Sequence, residues 1–250
     1  MHNVAASKNK LKEIAKLHQK KYREETGLFI AEGAKILDEL IAENAQIVEI
    51  FSLKEFENEK IKCPVYITDE AGMKKITSTD SVCDILTVAK KKNYDIKNIS
   101  TLNKLILLES ISDAGNLGTI IRSAAAFGIE GIILFGNCVD LYSSKVIRST
   151  AGNFFKIPII NISAADELEK HFKSHVKIAT ALSKRNNITL KDCNQFSKYI
   201  IMFGSEAHGL CDDLIKISDK NIRLEMHNNV ESLNLAVSAS IVMYEISNII

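Results

Sequence analysis

Apolar positions along this chain recur in two rhythms, and the change comes near residue 104. Leu11, Ile14, Leu17 with His18, and Tyr22 share one face at helical spacing, which predicts an amphipathic helix over roughly 9–23. Phe29–Ala31 reads as a short strand, and Ile36, Leu37, Leu40 and Ile41 as the buried face of a second helix. Ile47–Phe51, Val65–Ile67 and Ile85–Ala89 read as further strands, with a short helix near Glu70–Lys75 after a Thr-Asp start signal. The first hundred residues thus form a small α/β domain. Lys90–Asn103 is polar, charge-rich and without a clear period, so it is the candidate linker.

From 104 onward the units lengthen. Strands are expected at 104–109, 131–135, 157–160, 176–181, 199–203 and 221–224. Helices are expected at 117–127, near 143–149, 164–174 and 210–217, and at about 232–247. Strands alternating with helices imply a parallel sheet covered on both faces. The resulting division is 1–100 with its linker at about 90–103, then 104–250.

Composition adds exclusions. Of the 250 residues, 46% are hydrophobic and 25% charged, as in an ordinary globular protein. Apolar runs such as Leu105–Leu108 are far too short to cross a bilayer, and the lysine-rich N-terminus lacks the apolar segment of a signal peptide. A cytoplasmic protein is the expectation. Five scattered cysteines without a CxxC pair support neither a zinc site nor a disulfide framework, so no metal is expected. The balance of 32 basic against 31 acidic residues says nothing about partners. Its distribution does. Lys8, Lys10, Lys12, Lys16, Lys20, Lys21 and Arg23 face a single acid, Glu13, in the first 23 residues. Such a segment contacts phosphates or is simply a solvated helix face.

Three stretches carry candidate chemistry, each just after an apolar run. The first is Asp113-Ala-Gly-Asn-Leu-Gly118, leading into an apolar helix that holds Arg122. Its GxxG spacing, and the lack of an acid at the right distance, argue against a dinucleotide loop. Arg122 either pairs with a carboxylate such as Asp113 or Glu206, or aims its guanidinium fork at a phosphate or ribose oxygen. The second is Phe203-Gly-Ser-Glu-Ala-His-Gly-Leu210, where Phe203 and Ala207 occupy positions that a hydrolase elbow reserves for glycine. The third runs through Glu231-Ser-Leu-Asn234 into a small, apolar helix, where Ser232 and Asn234 can also serve as plain helix caps.

Taken in this order, the three stretches resemble the motifs of the SpoU family of RNA ribose 2′-O-methyltransferases. Asn116 and Arg122 match the first motif, with Ala114 where the family commonly has proline; Ala207 replaces a frequent glycine in the second. The resemblance implies a SPOUT-type parallel sheet with a C-terminal trefoil knot over 104–250. It also implies a ribosomal-protein-like RNA-binding domain over about 9–100, on the strength of Glu25–Gly33. By the same resemblance the cofactor is S-adenosylmethionine, the partners are RNA and a second copy of the chain, and the site is completed across a homodimer interface.

The residues carried over for the reaction are Asn116, Arg122, Glu206, Ser232 and Asn234. Those for the donor are Thr180, Ala181, Leu182, Gly204, Glu206, Gly209, Ile222, Leu224, Ser232 and Leu233. The two-domain layout resembles ribosomal RNA modifiers, including thiostrepton-resistance-type enzymes, so ribosomal RNA processing is the favoured role. A transfer RNA ribose, a base-modifying SPOUT enzyme and a non-catalytic RNA-binding protein of the same fold are the rivals.

Overall fold

The computed structural model describes residues 3–55, 57–181, 186–226, 228 and 232–247. Two compact units emerge. One comprises Met1–Lys92 and Asp140–Phe155, the other Asn93–Val139 and Lys156–Ile250.

In the first unit, strand β1 (Asn3–Ala5) precedes helix α1 (Lys8–Ala15), a 3-10 turn at Lys16–His18 and helix α2 (Lys20–Thr26). The single helix expected over 9–23 is therefore broken at Gln19, whose backbone is extended. At the break the Arg23 guanidinium donates to the Leu17 carbonyl at 2.6 Å, an acceptor that a continued helix would use. The chain goes on through β2 (Leu28–Glu32), α3 (Ala34–Ala42), β3 (Ile47–Ser52), β4 (Val65–Ile67), α4 (Glu70–Ile76) and β5 (Ile85–Lys90). Asp69 caps α4 by accepting from the Gly72 amide at 2.7 Å.

The five strands lie in the order β1-β4-β3-β5-β2, with β5 antiparallel to both its neighbours. Alternation along β3 feeds two cores. Phe51 joins Leu11, Ile14, Leu17 and Met73, while Ile50 joins Leu37, Ile61 and Val65.

Residues 140–155 belong to this unit although their sequence neighbours do not. They hold the helix α7 (Ser144–Ser149). Tyr142, Phe154 and Phe155 surround the fully buried Phe29 at centroid distances of 5.1, 6.3 and 5.9 Å. Asp140 binds the Arg23 guanidinium, with an Nε contact of 2.9 Å, and Arg148 reaches Glu32 at 3.4 Å. The expected division cuts the chain once, near 100; the observed one cuts it at 92, 139 and 155. The difference has a plain origin. An apolar segment carries no local mark of which core it enters.

The second unit starts earlier than the sequence pattern implies. Asp95 caps a short helix α5 (Ile96–Ile99), and Tyr94, Ile96, Ile99 and Leu102 pack on this unit's core, so much of the expected linker is folded. Strands β6 (Lys104–Glu109), β7 (Gly131–Phe135), β8 (Ile159–Ile162), β9 (Val176–Thr180), β10 (Asn187–Ile188), β11 (Tyr199–Phe203) and β12 (Lys220–Ile222) follow. Between them run α6 (Ala114–Ala126), α8 (Ala165–His171), α9 (Asp212–Lys216) and, at the end, α10 (Leu235–Ser247). The polar stretch after β9 holds β10 and a 3-10 turn at Leu190–Gln195 that periodicity did not reveal.

Every pairing in this sheet is parallel, in the order β10-β12-β9-β11-β6-β7-β8. Leu105, Leu107, Ile200 and Met202 face one core, while the alternate residues Ile106, Leu108, Ile201 and Phe203 are equally buried, so both faces are covered. The fold is α/β with a parallel sheet, as expected for this half.

Candidate active site

All strands of the second sheet run the same way, so their C-terminal ends share one edge. From β6 the chain steps outward to β7 and β8, then returns to the other side through β9, β11 and β12. Loops leaving β6 and β11 therefore diverge at a switch in strand order, where open parallel sheets form their clefts. The three motif stretches follow β6, β11 and β12 respectively, and strand parallelism alone delivers them to one place.

Their side chains interlock. Asp113 caps α6 by accepting from the Asn116 amide at 2.8 Å. The Asn116 side-chain NH2 then donates to the Glu206 carboxylate, and its oxygen accepts from the Asn234 NH2 at 3.1 Å. Asn234 in turn caps α10, its oxygen accepting from the amides of Ala236 at 2.9 Å and Val237 at 3.3 Å. One amide thus joins all three motifs. Asn234 is a plain cap and a motif residue at once.

The loop after β11 is closed on itself. Ser205 and Gly209 exchange backbone hydrogen bonds at 3.0 and 2.9 Å, with Gly209 at φ +68°. A Cβ on Gly204 would lie 2.0 Å from the Gly209 carbonyl carbon and 2.1 Å from the Leu210 amide nitrogen, so only glycine fits. His208 donates its amide to the Ser205 hydroxyl at 3.2 Å, and its ring lies exposed.

Two buried polar residues that carry no motif hold this edge in place. Glu109, at the end of β6, accepts from the Cys211 amide at 2.8 Å and so anchors the exit of the loop. Asn221 is 3% exposed; its side chain donates to the Ala181 carbonyl at 2.9 Å and accepts from the Ala181 amide at 3.1 Å. That amide extends the strand pairing of β9 past its last residue. Neither was singled out from the sequence, where its one signal is being polar beside an apolar strand. Thr180 adds a hydroxyl bond to the Met202 carbonyl at 2.9 Å.

The chain after β9, β11 and β12 encloses a cleft of about 730 Å³, within the range of small-molecule sites. Thr180, Ala181, Gly204, Glu206, Gly209, Ile222, Leu224, Ser232, Leu233 and Asn234 all line it. Leu182 lies outside the described residues. Asn116 stands at the rim through its bonds to Glu206 and Asn234, not as part of the lining. Arg122 is elsewhere. It is exposed on α6, beyond the cleft lining, and no ion pair or hydrogen bond to it is present among the described residues. Neither Asp113 nor Glu206 neutralises it; they engage Asn116.

Ile222, Leu224 and Leu233 give the lining an apolar side, Gly204 leaves the backbone bare, and Glu206 adds a carboxylate. Among the described residues no cluster of side chains could hold a metal ion. No described helix is long and apolar enough to cross a membrane.

Residues 103–244 match the model of the SpoU rRNA Methylase family, and residues 8–87 match that of an MRM3-like substrate binding domain. Over 98% of this chain and 99% of the relative, the sequence is 28% identical to the 23S rRNA (guanosine(2553)-2'-O)-methyltransferase RlmP of Bacillus subtilis (strain 168). An AdoMet-bound rRNA methyltransferase from Sinorhizobium meliloti superposes with a TM-score of 0.86 over 98% of this chain and 97% of its own, at 25% identity. The SpoU methyltransferase AviRb from Streptomyces viridochromogenes, solved with AdoMet, reaches the same TM-score over 97% of each chain at 18% identity, a likeness of fold.

Proposed function

The chain belongs to the SpoU rRNA methylase family, and on that footing we propose that it methylates a ribose 2′-hydroxyl of ribosomal RNA, with S-adenosylmethionine as donor. The observation that carries this reading is the Asn116 amide, which ties Glu206 and Asn234 together at the rim of the cleft. The donor, when bound, supplies an electrophilic methyl on a sulfonium. The protein's part is alignment and electrostatics.

Gly204, Gly209, Ile222, Leu224 and Leu233 hold the adenosine, together with the main chain of Thr180 and Ala181. Glu206 and Ser232 orient the charged tail. Asn116 and Asn234 fix the loops so that the cleft is preformed rather than assembled on binding. Arg122 holds the phosphate next to the target ribose and stabilises the developing alkoxide. As the O–CH3 bond forms and the S–CH3 bond breaks, the hydroxyl proton leaves through the adjacent RNA phosphate to water, since a guanidinium is already protonated.

The working form is a homodimer. Helices α6 and α10 pack side by side, with Ser123 and Ser240 hydroxyls 2.8 Å apart and Phe127 against Tyr244 at 5.5 Å. On α10, Val237, Ile241 and Tyr244 are 47, 38 and 51% exposed, and the neighbouring Leu233 is 41% exposed. An apolar stripe of this kind fits a second copy of itself. It would also bring Arg122, on the adjoining helix, to a seam where a cleft is completed.

The C-terminal segment threads a trefoil knot, a departure from the usual rule of unthreaded chains. Supporting this, β12 is laid between β9 and β10, both earlier in the chain. The first unit is the RNA-binding domain, and such a substrate puts the enzyme's work in the cytoplasm.

Incubation with labelled S-adenosylmethionine and unmodified ribosomal or transfer RNA, followed by nucleoside analysis, tests the reading. The expected product is a 2′-O-methylnucleoside in the ribosomal pool. A methylated base, or no product despite donor binding, would overturn it.

A further inference from the structure

An RNA substrate needs a surface that holds its backbone, and the first unit carries one. Helix α2 and the turn before it place Lys16, Lys20 and Lys21 at the surface, all exposed. Tyr22 lies between two of them, with the Lys16 ammonium 5.5 Å and the Lys21 ammonium 6.0 Å from its ring centroid. A ring within reach of two cations attracts both and helps to position them. The far end of β5 comes to the same place. Lys90 pairs with Leu28, and the Lys91 amide donates to the Gly27 carbonyl at 2.8 Å, just beyond the end of α2. The Lys91 ammonium sits 5.4 Å over the ring of Tyr142.

Nearby acids do not cancel this set. Asp140 is committed to Arg23. Glu24 and Glu25 make only long, exposed contacts, to Lys20 at 3.7 Å and Lys21 at 3.9 Å, of the kind that exchange readily for a phosphate. Lys16 has no carboxylate partner among the described residues. Partial burial, with Arg23 and Lys20 close by, pushes the Lys91 ammonium below its ordinary pKa despite Asp140 and Glu24. A phosphate at this spot would relieve that repulsion.

Granted that RNA is the substrate, we propose that Lys16, Lys20, Lys21 and Lys91 form a track for the phosphates of its backbone, arranged by the rings of Tyr22 and Tyr142. The track reads no sequence. It carries affinity and register, since ammonium groups on phosphates act as point charges. These lysines come from two segments some seventy residues apart, joined by the β2–β5 pairing and the Lys91–Gly27 bond that continues it.

The test is filter binding of unmodified large-subunit ribosomal RNA to the full-length protein between 50 and 200 mM salt. It compares wild type with the triple variant Lys16→Ala, Lys21→Ala, Lys91→Ala. A control triple, Lys54→Ala, Lys60→Ala, Lys62→Ala, lies on the connection to β4, which β3 and β5 separate from β2. Each lost phosphate contact lowers the log–log salt slope by roughly 0.7–0.9, so the track variant should lose about 2–3 in slope. Its affinity should fall at least about tenfold. Binding of S-adenosylmethionine should stay at the wild-type level, and methylation should show a raised KM for RNA with kcat preserved.

Wild-type affinity and slope in the track variant would overturn the proposal, as would an equal loss in the control triple. Loss of RNA affinity in the track variant, with no ribose-methylated product from wild type, would uphold the track and sink the reaction assigned to the cleft.

Discussion

The two units place their polar groups in opposite ways. In the first, charges are drawn inside: Arg23 with Asp140, Glu32 with Arg148, and Glu49 with Lys10 at 2.9 Å, each pair spanning distant parts of the chain. In the second, Lys216 and Asp213 pair at the exposed surface, three residues apart on one helix. There single carboxylates and amides bond to amides and backbone at the ends of parallel strands rather than to opposite charges. A unit built the first way depends on long-range charge pairing for its stability. A unit built the second way depends on strand direction, which every strand repeats, and it can offer a preformed cleft.

The strongest consequence attaches to the first arrangement. Asp140→Ala leaves the Arg23 guanidinium buried without its carboxylate, a loss of about 3–5 kcal/mol in that unit. Chemical denaturation should show an early transition absent from wild type, RNA binding should fail with it, and donor binding should persist. A single unshifted transition would mean that the pair is dispensable. Next is Arg122→Ala, which should reduce methylation roughly a hundred- to a thousandfold while leaving donor affinity within about twofold. Methylation near the wild-type rate, measured in single turnovers at saturating RNA, would remove Arg122 from the reaction.

A weaker consequence belongs to the second unit. Asn116→Ala cuts the link between motifs without touching the cleft lining. Each lost hydrogen bond contributes about 1 kcal/mol, and the one to the Glu206 carboxylate somewhat more. Donor affinity and turnover should both fall about tenfold, and calorimetry alongside initial rates checks the pair. A fall in turnover alone would give Asn116 a direct part in the chemistry instead of in the loops.

The same contrast explains what the sequence disclosed. The motif stretches were legible as loops because each follows an apolar strand, and parallel strands send their C-terminal loops to one edge. Asn116, Glu206 and Asn234 were legible as a set only through their resemblance to the SpoU motifs, since spacing alone leaves each open to a plain capping or pairing role. Glu109 and Asn221 were not legible, because a polar residue at a strand end looks the same whether it faces water or a neighbouring loop. Nor was the place of Tyr142, Phe154 and Phe155. Their apolar character predicts burial, but the partner that buries them, Phe29, lies more than a hundred residues away. The break at Gln19 was hidden because helical spacing does not show that the Leu17 carbonyl is claimed by the Arg23 side chain folded back against it.

Whether the glycine-lined cleft at the sheet edge takes the donor is decided by titration calorimetry of S-adenosylmethionine into wild type and Gly204→Ala. An added methyl at 204 has backbone about 2 Å away and must displace the loop. A cleft that is the donor site gives saturable one-site binding in wild type and none detectable in a variant that keeps the wild-type unfolding profile. Equal binding by a folded Gly204→Ala, or no binding by wild type, would contradict it.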